Sequence, residues 1–206
     1  MSKAIKTLLE IASNPLMPPL GHMDLGPFKG QLIADLLLKR NGFFSHESAL
    51  LVRPLTSGLA PIGIIEWNAP ELWKSKYDVD LASHTFFAEN IFGEQYSLKQ
   101  DRVYHFDPET GEAKCVAEDL SDWASMVLHK PDFHVGHSLA HAWQSKYRSL
   151  ANGERLLPKQ PFVLQGEFNV ENLLAKSDVD GMIIRSKLAN EIAKLPEGAR
   201  IKFELI

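Results

Sequence analysis

The chain has 206 residues, of which 45% are hydrophobic and 23% charged, with one cysteine and a formal net charge of −4. This usage matches a soluble globular protein and excludes collagen-like, low-complexity and wholly disordered chains. No apolar stretch reaches the ~18 residues of a membrane helix. The lone Cys115 can close neither an internal disulfide nor a cysteine metal cage. The start, MSKAIKTLLEIASNP, lacks the long apolar region of a secretory leader. A cytoplasmic protein without membrane attachment is therefore expected.

The charge is unevenly spread. Residues 78–122 hold eleven acidic and three basic side chains, a local −8, and the remainder carries +4 with no run of lysines and arginines longer than the Lys39-Arg40 pair. A basic footprint for nucleic acid is absent, so nucleic acid is not an expected partner. The acidic segment reads either as a solvated surface that keeps the protein soluble or as a docking surface for a cationic partner.

In chain order, Ile5, Leu8, Leu9 and Ala12 predict a short amphipathic helix over residues 3–12. Prolines and glycines make 14–27 a loop. Pro27 suits a first helical position, and Phe28, Leu32, Ile33, Leu36 and Leu37 line one face of a second helix to about residue 40. The Asn41-Gly42 pair ends it. Apolar runs at 49–54 and 62–67, bounded by Pro54, Gly58 and Pro61, predict strands. Residues 70–76 form one or two helical turns.

A meander follows over 85–89, 93–98, 103–107 and 112–117. Its clearest turn is Asp107-Pro108-Glu109-Thr110-Gly111. Alternation puts Ala113, Cys115 and Ala117 on one face, which makes Cys115 a small core residue. Helical spacing returns over 120–128 with Asp119 or Ser121 as cap. Pro131 begins another helix to about residue 147, so that the two form an αα-hairpin. Segments 161–164 and 168–173 read as extended, a helix carries Leu188, Ala189 and Ile192, and 200–206 reads as a last strand. The expected fold class is α+β: a twisted, largely antiparallel sheet with helices packed against it. Residues 1–130 make the main domain, and 131–206 a C-terminal α/β elaboration packed on it.

The phosphate-binding, dinucleotide, nucleophile-elbow and zinc-helix signatures are all missing from the sequence. The strongest enzyme-like feature is His129, His134, His137 and His141. The last three share one face of a continuous helix and could hold a transition metal, although no carboxylate follows in a catalytic spacing. Trp67, Trp73, Trp123 and Trp143 read as core, with Trp67 at a strand end also a candidate for a recognition groove.

The helix-ending NGFF (41–44), FFAENIFGEQYSL (86–98), VYHFDPETGE (103–112) and the next helix with Trp123 occur in an order that resembles the SUKH superfamily. These are bacterial relatives of the yeast Smi/Knr cell-wall regulator. The resemblance spans roughly residues 15–128, and PFVLQGEFNVENLL with LANEIAKLPEGARIKF is similar to the extension of longer bacterial members. It implies the same α+β fold and, for many bacterial members, an immunity protein that neutralises a delivered nuclease- or deaminase-type toxin. Trp67, Glu89, Phe92, Gly93, Glu94 and Gln95 match its sheet and groove region. With Asp101, Glu109 and Glu112 of the acidic segment, all of these except Gly93 are the candidate partner contacts. Catalytic residues, metal ligands and cofactors are not assigned. The alternatives are a regulatory scaffold like the yeast relative and, from a different class, a metal-dependent enzyme using the histidines of 129–141.

Overall fold

The computed structural model describes residues 1–21, 25, 28, 32–58 and 61–196. The fold is α+β. Helix α1 (Lys3–Glu10) is capped by the Ser2 side chain, which accepts from the Ile5 N–H, and buries Ile5 and Leu8. Helix α2 (Leu32–Lys39) buries Ile33, Leu36 and Leu37. The expected start of this helix at Pro27 lies outside the described residues, as does the strand expected over 200–206. Gly42 then takes φ +73°, and a Cβ there would sit 2.6 Å from the Pro54 nitrogen, so only glycine turns the chain here.

Six strands follow in a meander. They are β1 (Phe43–Ser45), β2 (Leu50–Val52), β3 (Thr85–Glu89), β4 (Gln95–Lys99), β5 (Arg102–Asp107) and β6 (Glu112–Ala117). They pair antiparallel in sequence order. The pairing needs no crossovers, which is why short turns suffice everywhere except between β2 and β3. That long connection holds helix α3 (Ile64–Trp67), where 62–67 was expected to be a strand. The buried residues are Ile64 and Trp67, three apart, while Ile65 and Glu66 face solvent. A one-turn helix buries positions three apart, and so short an apolar run does not separate the two periods.

Both sheet faces are covered. On one, Phe87, Tyr96, Leu98 and Val103 pack with Trp123 of α4 (Leu120–His129) and with α1 and α2. On the other, Phe86 and Phe106 meet Trp67, Trp73 and Tyr77, joined by Met182 and Ala189 of α7 (Asp178–Ile192). Rings here lie 4.9–6.1 Å apart, mostly edge to face.

The chain beyond α4 departs from expectation twice. The single helix over 131–147 is broken into α5 (Pro131–Val135) and α6 (His137–Lys146) by Gly136 at φ +70°. The extended segments expected at 161–164 and 168–173 are a 3-10 turn, Phe162–Leu164, and an irregular stretch with a second such turn, Val170–Asn172. The strands are instead β7 (Glu154–Pro158) and β8 (Leu173–Ser177), an antiparallel pair. Leu156 and Leu173 reach the main core from them.

Cys115 is exposed, contrary to its expected burial. The β5–β6 register skips Val116 between the Tyr104–Cys115 and Val103–Ala117 pairs. That bulge turns Ala117 inward beside Leu98 and Val103, and Cys115 lies on an edge strand on the opposite face. Alternation holds only where no bulge intervenes.

A buried ionic network ties the later elements to the sheet. Glu89, fully buried, accepts hydrogen bonds from Arg155 Nε (2.7 Å) and Gln95 Nε2 (2.7 Å) and forms an ion pair with Arg53, whose Nη2 lies 3.0 Å away. Arg53 Nη2 also meets Asp178 at the start of α7 (3.0 Å), and its guanidinium lies 3.4 Å from the Trp67 ring centroid. Two guanidiniums balance two carboxylates. Burial works against the Glu89 charge, but Arg53 and Arg155 outweigh it and hold the carboxyl below its ordinary range.

Two outcomes are expected. Glu89→Gln leaves buried guanidinium charge uncompensated and should cost about 3–5 kcal/mol in denaturant unfolding; a loss within ~1 kcal/mol would contradict the clamp. Cys115 should react with a thiol reagent in the native protein nearly as fast as in the unfolded chain, as its exposure requires.

Candidate functional site

A cleft of about 600 Å³ opens where the β4–β5 hairpin, α4, α5, α6 and the 162–170 segment converge. Its walls are mainly apolar: Phe92, Tyr96, Val116, Met126, Phe133, Leu139 and Phe168, with Glu94, His105, Asp132 and His134 supplying polar groups. Phe133 and Phe168 are 81% and 64% exposed. Large rings so exposed around a concavity are the pattern of a recognition surface.

The local chain explains the shape. A Cβ on Gly136 would lie 2.7 Å from Ile91 Cγ2 and from Phe92 Cε2, so glycine both breaks the helix and lets α5 close on the sheet. Tyr96 then donates from its hydroxyl to the His134 carbonyl (2.7 Å). The 90–94 turn is built by Asn90, whose Oδ1 accepts from the Phe92 and Glu94 N–H groups. Gly93, at φ +71°, admits Arg185, which donates to the Phe92 carbonyl (2.6 Å) and, more weakly, to that of Gly93 (3.3 Å). Phe92 meets Phe162 and Phe168 edge-on, and those two stack at 3.9 Å with planes 5° apart.

Within the cleft Glu94 Oε2 meets His105 Nε2 at 2.9 Å and accepts from Asn90 Nδ2 at 2.6 Å. Burial disfavours the Glu94 charge, yet these bonds prevail and its carboxyl is held low. Burial likewise lowers His105, but the Glu94 bond and charge raise it overall. The geometry makes a half-sunk ion pair among aromatic rings. His134 is lowered by burial and by its positive neighbours His105 and Lys130.

Of the residues singled out from sequence, Phe92 and Glu94 line this cleft. Trp67, Glu89 and Gln95 are fully buried: Trp67 donates to Gln95 Oε1 (2.9 Å), and Gln95 donates to Glu89. They build the frame and present no surface to a partner. Asp101 is exposed in the β4–β5 turn, where Gln100 and Asp101 both take positive φ. Glu112 is exposed beside Lys114 (2.7 Å). Glu109, expected among the exposed turn carboxylates, is only 4% exposed. It accepts from the Val163 N–H (2.8 Å), and burial pushes its carboxyl up to about 7 against the opposing effects of that bond and of Arg185. The acidic segment is therefore not one solvated face.

The histidines divide at Gly136. His134 lines the cleft, while His137 and His141 approach Glu47 (3.5 and 2.6 Å), a carboxylate distant in sequence. Glu47 sits in a turn whose residues His46, Glu47 and Ser48 all take positive φ. Among the described residues no group of three His, Cys, Asp or Glu side chains is arranged to hold a metal ion.

Sequence reasoning missed Phe133, Phe168, Tyr96, His105 and Asp132. One signal was available for Phe133: two residues before the buried Val135 on a helix, it must point the other way.

No family model matches the chain, and no curated protein matches it. The structure is similar to the crystal structure of Atu4351 from Agrobacterium tumefaciens, with a TM-score of 0.61 and 12% identity over 91% of this chain and 89% of that one. At that identity the likeness concerns the fold alone. Among the described residues no helix is long and apolar enough to cross a membrane.

The Glu109 carboxyl sets a pH response. Its folded value near 7 exceeds the ordinary 4.5, so the folded state holds a proton the unfolded chain has released. The contribution is full below about 4.5 and is lost as pH rises through about 7. Glu109→Gln, neutral and still able to accept from Val163, should match wild type near pH 4 and exceed it by about 3 kcal/mol at pH 8. Parallel unfolding curves at both pH values would refute this.

Proposed function

We propose that the protein acts by binding: it is a SUKH-type immunity protein that occludes a toxin domain acting on nucleic acid. The observation that carries this reading is the cleft with its exposed Phe133 and Phe168, a concave apolar patch of the kind that takes a protein anchor. The partner class follows from charge. A protein that holds nucleic-acid phosphates presents a cationic surface. This chain offers the exposed carboxylates of Asp78, Asp80, Asp101, Glu112, Glu118, Asp119 and Asp122, of which Glu112 and Glu118 already have basic neighbours in Lys114 and Arg102. The order of NGFF, FFAENIFGEQYSL and VYHFDPETGE supports the same reading.

Such a complex divides its energetics. Exposed carboxylates outside the cleft speed encounter through their field, and aromatic side chains in the contact slow dissociation. The test is co-expression with the product of the adjacent reading frame. A stoichiometric complex that abolishes that product's toxicity is expected. Phe133→Ala with Phe168→Ala should raise the dissociation rate about tenfold or more. Asp101→Asn with Glu112→Gln should slow association and flatten its salt dependence. A complex whose dissociation ignores both rings would place the docking surface elsewhere.

A further inference from the structure

The cleft carries a charge signature that specifies what enters it. Its lining has two carboxylates, Glu94 and Asp132, two imidazoles, His105 and His134, of which His105 already pairs with Glu94, and neither lysine nor arginine. Glu94 Oε2 is occupied by Asn90 and His105, whereas Oε1 takes no hydrogen bond from the described residues. Asp132 uses Oδ1 for the Ser138 N–H (2.8 Å). Glu94 is only 25% exposed against 81% for Phe133, so the carboxylate lies deeper than the ring at the mouth. A carboxylate with a vacant acceptor beneath exposed aromatic faces complements a planar, weakly hydrated cation on an apolar stem.

We propose that the cleft receives an arginine side chain of the protein partner, its guanidinium donating to Glu94 Oε1 and its stem lying against Phe133 and Phe168. Arginine fits better than lysine, because a weakly hydrated guanidinium can stack on rings while an in-plane N–H donates to the single free oxygen, whereas an ammonium is a compact, strongly hydrated charge. The inference deepens the binding reading by naming the partner's anchor, and it rests on that reading for the identity of the partner. An arginine used to hold phosphate would, when captured here, be withdrawn from its nucleic acid.

The test uses the full chain and small probes: N-benzoyl-L-arginine amide, its neutral citrulline isostere and its lysine counterpart, each followed by two-dimensional NMR titration. The arginine probe should shift resonances of Phe133, His134, Gly136 and Phe168, with citrulline about tenfold weaker and lysine between them. Glu94→Gln should erase the preference for arginine over citrulline. Phe168→Ala, at an exposed position that leaves the fold intact, should weaken both probes alike. Equal binding of arginine and citrulline, a preference that survives Glu94→Gln, or no shifts at the cleft would overturn the proposal. Any of these would leave complex formation with the toxin to its own test, because the probes involve no toxin.

Discussion

A carboxylate buried in the middle of a sheet sets the terms for much of this molecule. Glu89 has no contact with water, and an unpaired ion there would cost several kcal/mol. Arg53 comes from just beyond β2 and Arg155 from β7, more than a hundred residues apart, to meet it. Arg53 then needs a second carboxylate, which Asp178 supplies from the first turn of α7, where the helix dipole also favours a negative charge. The placement of β7, β8 and α7 on the sheet follows from this balance. Trp67 lies over the Arg53 guanidinium and Gln95 bridges Trp67 and Glu89, while Arg53 Nε and Arg155 Nη2 stay buried without a hydrogen-bond partner among the described residues.

The cleft inherits that placement. Once α7 is fixed, Arg185 reaches the Phe92 and Gly93 carbonyls and sets the turn that presents Phe92 and Glu94. Glu109, inside the same region, holds the Phe162 turn through the Val163 N–H, and Phe162 stacks on Phe168 at the mouth. A raised carboxyl at Glu109 is a cost carried within this wall. Such local expense, together with two rings held in water, is the usual mark of a surface shaped for something other than stability.

The legibility of the chain depended on how local each determinant is. The four strands from Thr85 to Ala117, the turn at Pro108 and Gly111, the Asp119 cap and the helix carrying Leu188 and Ala189 stand close to where turn chemistry and periodicity put them. Cys115 was misplaced because one unpaired residue, Val116, reverses the face of the strand beyond it. The pattern over 131–147 predicts one unbroken helix, because a lone glycine is tolerated within a helical pattern at a modest cost; what demands glycine at 136 is contact with Ile91 and Phe92. The strands after residue 150 were misassigned because β7 and β8 form only a two-stranded pair, whose support comes from Leu156 and Leu173 in a distant core.

For the candidate site the same division holds. Phe92 and Glu94 were legible as part of a motif, but their roles were not distinguishable from those of Glu89 and Gln95 a few residues away, which are sealed inside. By itself the sequence determined the composition class and the net negative charge, which are sums over the chain, and the α+β alternation and the antiparallel meander, which follow from neighbours within one turn or one strand. Only the tertiary structure decided which carboxylates are buried, which rings stand in water and which histidines meet a carboxylate. Burial and pairing are properties of residues brought together from distant parts of the chain, such as Arg53 with Asp178 or Glu109 with Val163, and no local pattern encodes a distance across the fold.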